Sequence, residues 1–242
     1  MCEKPVILIS PAHDIDAVRH REEFEGYALA VIGAGGIPVL PGDSRNIEDY
    51  VELADGLILT GGWPLSVENI TNGILTPQYM DRFIKEEREP FELALYQKFR
   101  DAGKPIIGIC YGHQCINMGQ GGNLEYNIAK AYQAEHRGGV SHKVTAEPGS
   151  LLYELYGKEF MVNGFHGYAI ADLGKDLKIT AWSDEGIPEA IEHVSLPIYG
   201  FQWHPERMRG ETPTPPDGPD MEKMFQRFMN LCMSIRESQG KK

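Results

Sequence analysis

The sequence predicts an α/β fold with a mostly parallel central sheet flanked by helices and a small antiparallel extension. Three observations carry this. Short, wholly apolar runs alternate with helix-like segments through the first half of the chain. Glycine and proline bracket the runs. The second half changes to short strands without long helices between them, closed by one amphipathic segment. Continuous apolar strands separated by helices belong to a parallel sheet buried on both faces.

The elements follow in order. Val6–Ile9 is the first strand. Helical spacing runs from Glu22 to Ala34 through Phe24, Tyr27, Ala28, Val31 and Ile32, and Gly35-Gly36 ends it. Ile37–Leu40 is the second strand, closed by Pro41. Ile47–Leu53 is a short helix. Gly56–Leu59 is the third strand, followed by the turn Thr60-Gly61-Gly62. A long helix is expected over Gln78 to Ala102, and Pro105–Ile109 is the fourth strand. Val140–Ala146, Glu159–Val162, Lys178–Trp182, Glu189–His193 and Ile198–Phe201 are short strands punctuated by Gly and Pro. Met221–Arg236 is the last helix, and the proline-rich 210–219 is a surface loop. No repeat or linker divides the chain, so residues 1–242 are expected to form a single domain.

Composition narrows the function. The formal net charge is −12, from 23 basic and 35 acidic residues. Nucleic-acid binding begins with a basic patch, so no nucleic-acid partner is expected. The mixed cluster Lys85-Glu86-Glu87-Arg88-Glu89 reads as a solvated helix face. No segment has the length and apolarity of a membrane span, and Val6–Ile9 is too short for the core of a signal peptide. A cytoplasmic protein with no membrane partner is the expectation. A homo-oligomer is compatible with these features. The four cysteines, Cys2, Cys110, Cys115 and Cys232, fit no zinc or disulfide spacing. Cys115 and Cys232 read as packed core thiols and Cys2 as part of a chain end.

Cys110 stands apart. It lies in Gly108-Ile-Cys110-Tyr-Gly112, where a buried strand runs into a helix. A nucleophile on so tight a turn needs small residues two before and two after it. The helix N-terminus also favours the thiolate form that attacks. A base is available in Gly200-Phe-Gln-Trp-His204-Pro-Glu206, where a strand delivers His204, Pro205 fixes the backbone and Glu206 can orient the imidazole. Oxyanion donors are expected from the backbone N–H of Tyr111, directly after the nucleophile, and from Gly62 in the Thr60-Gly61-Gly62 turn. A phosphate loop is excluded there, because no Gly-Lys-Ser/Thr follows. In an open parallel sheet, the loops at the carboxyl ends of neighbouring strands share one crevice.

Together the segments GICYGHQ, TGG and GFQWHPE resemble the class I glutamine amidotransferases, and the resemblance covers nearly the whole chain. Arg88-Glu-Pro-Phe-Glu-Leu-Ala-Leu, Gly121-Gly122-Asn-Leu, Val162-Asn163-Gly-Phe-His166 and Gly186-Ile-Pro-Glu189-Ala-Ile-Glu192 resemble one branch of them, the peptidase C26 group of γ-glutamyl-γ-aminobutyrate hydrolase-like enzymes. The sequence departs from that branch at Tyr111, at Asn163–Tyr168 and at Asn123–Asn127. The resemblance implies a flavodoxin-like class I glutamine amidotransferase fold and a Cys110–His204–Glu206 triad. It implies a small-molecule γ-glutamyl substrate, hydrolysed through a γ-glutamyl thioester without metal or organic cofactor.

Gly61, Gln114, His166, Gly167 and Tyr168 are the candidate substrate contacts. Gly164 and Gly167 are expected to widen the site by removing side chains. His136 and His142 are read as structural. Two other functions fit the same motifs: a glutaminase subunit feeding ammonia to a synthetase, which Tyr111 favours, and a non-catalytic binding module, which the retained Cys, His and Glu disfavour.

Overall fold

The structure, a computed structural model, describes residues 3–10, 18–42, 45–62, 88–211 and 213–240. Cys2, Lys85-Glu86-Glu87 and the helical stretch expected at 78–87 lie outside them. The described elements are β1 (Val6–Ile9), α1 (Val18–Gly33), β2 (Ile37–Val39), α2 (Ile47–Leu53), β3 (Gly56–Leu59), α3 (Glu89–Asp101), β4 (Ile106–Ile109), α4 (Tyr111–Gly119) and β5 (Leu124–Glu125). There follow α5 (Ile128–Ala131), β6 (His136–Ala146), α6 (Leu151–Tyr156), β7 (Glu159–His166), β8 (Ala169–Ile170), β9 (Leu177–Ser183), β10 (Pro188–His193), β11 (Ile198–Phe201) and α7 (Glu222–Ser238).

Nine of the described strands make one sheet in the order β2-β1-β3-β4-β11-β10-β9-β6-β7. The first five run parallel, with Leu59 beside Gly108 and Gly108 beside Gly200. From β11 onward every pairing is antiparallel, which is the expected extension. β5 and β8 form a separate two-stranded antiparallel sheet.

Alternation along the parallel strands divides the core between the two faces. Ile7, Ile9, Ile58, Ile107, Ile109 and Phe201 point to the side covered by α1 and α7. Leu8, Leu57, Leu59, Ile106 and Ile198 point to the side covered by α3 and α4. Cys232 packs with Phe225, Phe228 and Met229 on the first side, and Cys115 packs beside Tyr96 and Ile116 on the second. Burial holds both thiols well above their usual pKa, as expected of inert core cysteines. At α3, Pro90 occupies the first turn, where its missing N–H costs nothing. Glu89 and Glu92 lie in that turn and Lys98 and Arg100 in the last one, matching the helix dipole. No helix among the described residues is long and apolar enough to cross a membrane.

β3, β4 and β11 are adjacent parallel strands, so their carboxyl ends lie along one edge of the sheet. Thr60-Gly61-Gly62, Cys110 and the segment leading to His204 leave the sheet side by side.

Candidate active site

Cys110 sits between β4 and α4 with φ 53° and ψ −101°, a conformation that side-chain-bearing residues rarely adopt. Such strain costs about 1–3 kcal/mol and persists only where the surroundings enforce it. Here they do. Cys110 N–H donates to Phe201 O at 2.8 Å, and Gly112 N–H donates to Thr60 O at 3.1 Å, tying the turn to both neighbouring strands. A Cβ on Gly108 would strike the Gly112 carbonyl, and one on Gly112 would strike the Leu59 carbonyl. The two glycines therefore let three backbones meet around the cysteine. Tyr111 stands at the first position of α4, directly after Cys110, where its N–H has no partner within the helix.

His204 lies three residues past the end of β11 and is buried. Its backbone is held twice by one side chain: His204 N–H donates to Asn163 Oδ1 at 2.8 Å, and Asn163 Nδ2 donates to His204 O at 3.0 Å. Pro205–Arg207 form a single 3-10 turn that swings Glu206 back, so that His204 Nδ1 and Glu206 Oε1 are 2.6 Å apart. Burial alone pulls the imidazole down. The Glu206 carboxylate, and then Cys110 by charge and hydrogen bonding, outweigh it and lift the pKa to about 9. Phe165 meets the imidazole edge-on at 5.5 Å, and the Arg207 guanidinium lies over its ring at 4.5 Å.

The turn after β3 is built from contacts that sequence reading missed. Gly61 N–H donates to the Tyr27 hydroxyl at 2.9 Å. Arg88 Nη2 donates to Gly61 O at 2.9 Å and to Thr60 O at 3.3 Å, while its Nε pairs with Glu92 at 3.0 Å. Glu92 in turn accepts from Ser10 Oγ, which receives Thr60 N–H at 3.0 Å. The guanidinium also lies 4.7 Å from the centre of the Tyr111 ring. Arg88 and Glu92 are buried, so the turn after β3 is backed by a desolvated ion pair. A Cβ on Gly61 would lie 2.7 Å from His204 Cε1 and 3.4 Å from Cys110 Cβ, so cysteine, imidazole and turn are in mutual contact. Gly61 serves that close approach. Its N–H is taken by Tyr27, and Gly62, at φ 139°, is the next donor along the turn.

The other candidate contacts fall differently. Gln114 Nε2 donates to Gln202 Oε1 at 3.0 Å, a buried bridge from α4 to the segment carrying His204. His166 is turned towards His136 and Glu189, and its Nδ1 lies 3.0 Å from Tyr168 O. Tyr168 is buried edge-on against Tyr126. The expected widening at Gly164 and Gly167 is not present. The space beside Gly164 holds the His136 backbone, and that beside Gly167 holds the Arg137 guanidinium.

The arrangement joins a thiol, an imidazole paired with a carboxylate, and backbone donors at a helix start. Acyl transfer needs that set. The peptidase C26 family model matches residues 7–206. Protein NtpR of Enterococcus hirae is 32% identical over 194 residues, which is 75% of this chain and 80% of that protein. Gamma-glutamyl-gamma-aminobutyrate hydrolase of Escherichia coli O157:H7 is 30% identical over 200 residues, 75% of this chain and 77% of that one. A solved glutamine amidotransferase structure from Thermotoga maritima shares the fold with a TM-score of 0.58 at 14% identity, over 100% of this chain and 87% of that one. The chain belongs to the peptidase C26 family, within the class I glutamine amidotransferase-like superfamily.

Proposed function

We propose that this hydrolase cleaves the amide bond of γ-glutamyl amines, with Cys110 as nucleophile, His204 as general acid and base, and Glu206 as the group that orients and charges the imidazole. The Cys110 sulfur attacks the γ-carbonyl carbon and forms a tetrahedral oxyanion held by the N–H groups of Gly62 and Tyr111. His204 gives its proton to the leaving nitrogen as the C–N bond breaks, leaving a γ-glutamyl thioester and the free amine. A water molecule then loses its proton to His204 and attacks the thioester. The C–S bond breaks, and glutamate departs.

The observation that carries this reading is the position of His204, packed against Gly61 and Cys110 on one side and bonded to Glu206 on the other. Similarity to the E. coli γ-glutamyl-γ-aminobutyrate hydrolase supports the substrate class. A kcat/KM comparison of γ-glutamyl-γ-aminobutyrate and γ-glutamyl alkylamides with glutamine tests it. The γ-glutamyl amines are expected to win. A preference for glutamine of tenfold or more, about 1.4 kcal/mol in transition-state binding, would assign the chain instead as a glutaminase.

The charge state of His204 sets a pH dependence. Its folded pKa is raised to about 9, so the imidazolium persists at neutral pH and is lost as pH rises through about 9. The same shift contributes stability that is fully present below the unfolded value of about 6.5 and disappears across that window. The alkaline limb of kcat/KM is therefore expected near pH 9. In Glu206→Gln, which removes the largest raising influence, the limb should move to lower pH. A limb that stays in place in Glu206→Gln would detach His204 from the profile.

A further inference from the structure

In the antiparallel extension three histidines and one glutamate converge. We propose that His136, His142, His166 and Glu189 form a closed, four-coordinate site for a divalent transition-metal ion of the zinc class. All four side chains are buried, and their ligand atoms, one per residue, lie within 4.8 Å of one another. Glu189 Oε1 is the centre of the group: His136 Nδ1 stands 3.1 Å from it, His142 Nε2 3.2 Å and His166 Nε2 3.5 Å. His136 Nδ1 and His166 Nε2 are 3.2 Å apart. A tetrahedral zinc ion with bonds of ~2.0–2.1 Å holds its ligand atoms about 3.3 Å apart. Four of the six separations bracket that edge.

Hydrogen bonding alone serves this cluster poorly. His142 Nδ1 and Glu189 Oε2 are buried without a hydrogen-bond partner, and His142 Nε2 makes no well-directed hydrogen bond although it lies 3.2 Å from Glu189 Oε1. A buried polar atom left unpaired costs about 1–3 kcal/mol, more if charged. The Glu189 carboxylate is fully buried, with three imidazoles turned towards it. A buried anion needs pairing with positive charge or a full set of hydrogen bonds, and a bound cation would supply the charge. The outer contacts also suit ligation. His166 Nδ1 faces Tyr168 O at 3.0 Å, which leaves the Nε2 lone pair for the ion, and the Glu185 carboxylate lies 3.5 Å from His136 Nε2. Metal-bound histidines commonly give their second N–H to a carbonyl or carboxylate in this way.

The donor set selects the ion. Imidazole with one carboxylate suits zinc and its first-row neighbours rather than magnesium or calcium, and four buried protein ligands leave no open position for chemistry. The role is then structural. The ion would join β6 and β7 to β10, which β9 separates in the sheet. Both sides reach the His204 segment: Glu189 O accepts Gln202 N–H at 2.8 Å, and Asn163 of β7 holds the His204 backbone.

The full chain, stripped with a chelator and dialysed against Zn²⁺ or Co²⁺, tests this by elemental analysis, visible absorption and thermal melting. One equivalent per chain is expected, with the intense visible bands of four-coordinate Co²⁺. At a hundredfold excess over Kd, the thermal midpoint should rise by roughly 5–10 °C. Uptake should survive Cys110→Ala and fall at least tenfold in Glu189→Gln and in His142→Gln. Should either variant fail to fold, the wild-type stoichiometry and Co²⁺ spectrum decide alone. No stoichiometric uptake by the wild type, uptake undiminished in both variants, or uptake lost in Cys110→Ala would overturn the site. None of these readouts depends on the identity of the substrate.

Discussion

Cys110→Ala is expected to abolish turnover while leaving the fold intact. Nucleophile, base and oxyanion donors act as one unit, so removing the nucleophile should cost at least about 10⁴-fold in kcat. The fold should survive because the strained turn is held by backbone contacts that alanine keeps: Cys110 N–H to Phe201 O, and the meeting of Gly108, Gly112 and Leu59. Circular dichroism and a melting curve check the fold, and a glutamate-release assay checks turnover. Cys115→Ala and Cys232→Ala are the controls. Both thiols are fully buried and held protonated by that burial, so both variants should keep activity and lose only some stability. Loss of activity in Cys115→Ala as complete as in Cys110→Ala would contradict the assignment of the nucleophile.

His204→Ala should be the second most damaging change, and clearly worse than Glu206→Ala. In the proposed mechanism the imidazole carries the proton in both half-reactions, and a positioned acid or base contributes about 10²–10⁴-fold. Its removal should cost kcat across that range. Glu206 reaches the chemistry only through the imidazole, by the 2.6 Å contact and the raised pKa. Glu206→Ala leaves His204 still held at its backbone by Asn163 and edged by Phe165. It should therefore lose kcat less severely and shift the pH profile. Wild-type rates in His204→Ala at neutral pH would remove the imidazole from the mechanism.

Much of this architecture was legible in the sequence, for identifiable reasons. Gly56–Leu59, Ile47–Leu53 and Ile198–Phe201 match the observed elements residue for residue, because strong breakers flank short apolar or amphipathic runs. The strands of the extension are longer than their sequence suggests. Gly138-Gly139 and Asn163-Gly164 look like breaks, yet β6 and β7 continue through them. Gly138 and Gly139 take φ of 69° and 84° in an irregular stretch of the pairing, which sets His136 opposite His166. The histidine cluster lies partly in that stretch, so in the sequence its members look like isolated histidines. The helix Leu151–Tyr156, capped by Ser150, is too short for a periodic signal.

The same division holds at the site. Cys110, His204 and Glu206 stand in compact motifs whose glycines and proline have local steric reasons. Tyr27, Arg88 and Asn163 act across the fold on backbone groups distant in sequence, and Glu92 anchors Arg88 and Ser10; Arg88, Glu92 and Asn163 lie in segments that carry the family resemblance, but no local pattern marks these contacts. Arg88 reads in the sequence as part of a solvated charged face, but it is buried against the Thr60-Gly61 turn.

The most direct test of the central claim is to trap the acyl-enzyme. The wild type and Cys110→Ala would be mixed with a γ-glutamyl substrate, quenched in acid during turnover, digested and read by mass spectrometry. One γ-glutamyl adduct per chain is expected, on the peptide carrying Cys110 and mapped to that sulfur, absent from Cys110→Ala. Sustained turnover with the label on Cys115, or with no adduct in a quench fast enough to resolve a single turnover, would contradict it.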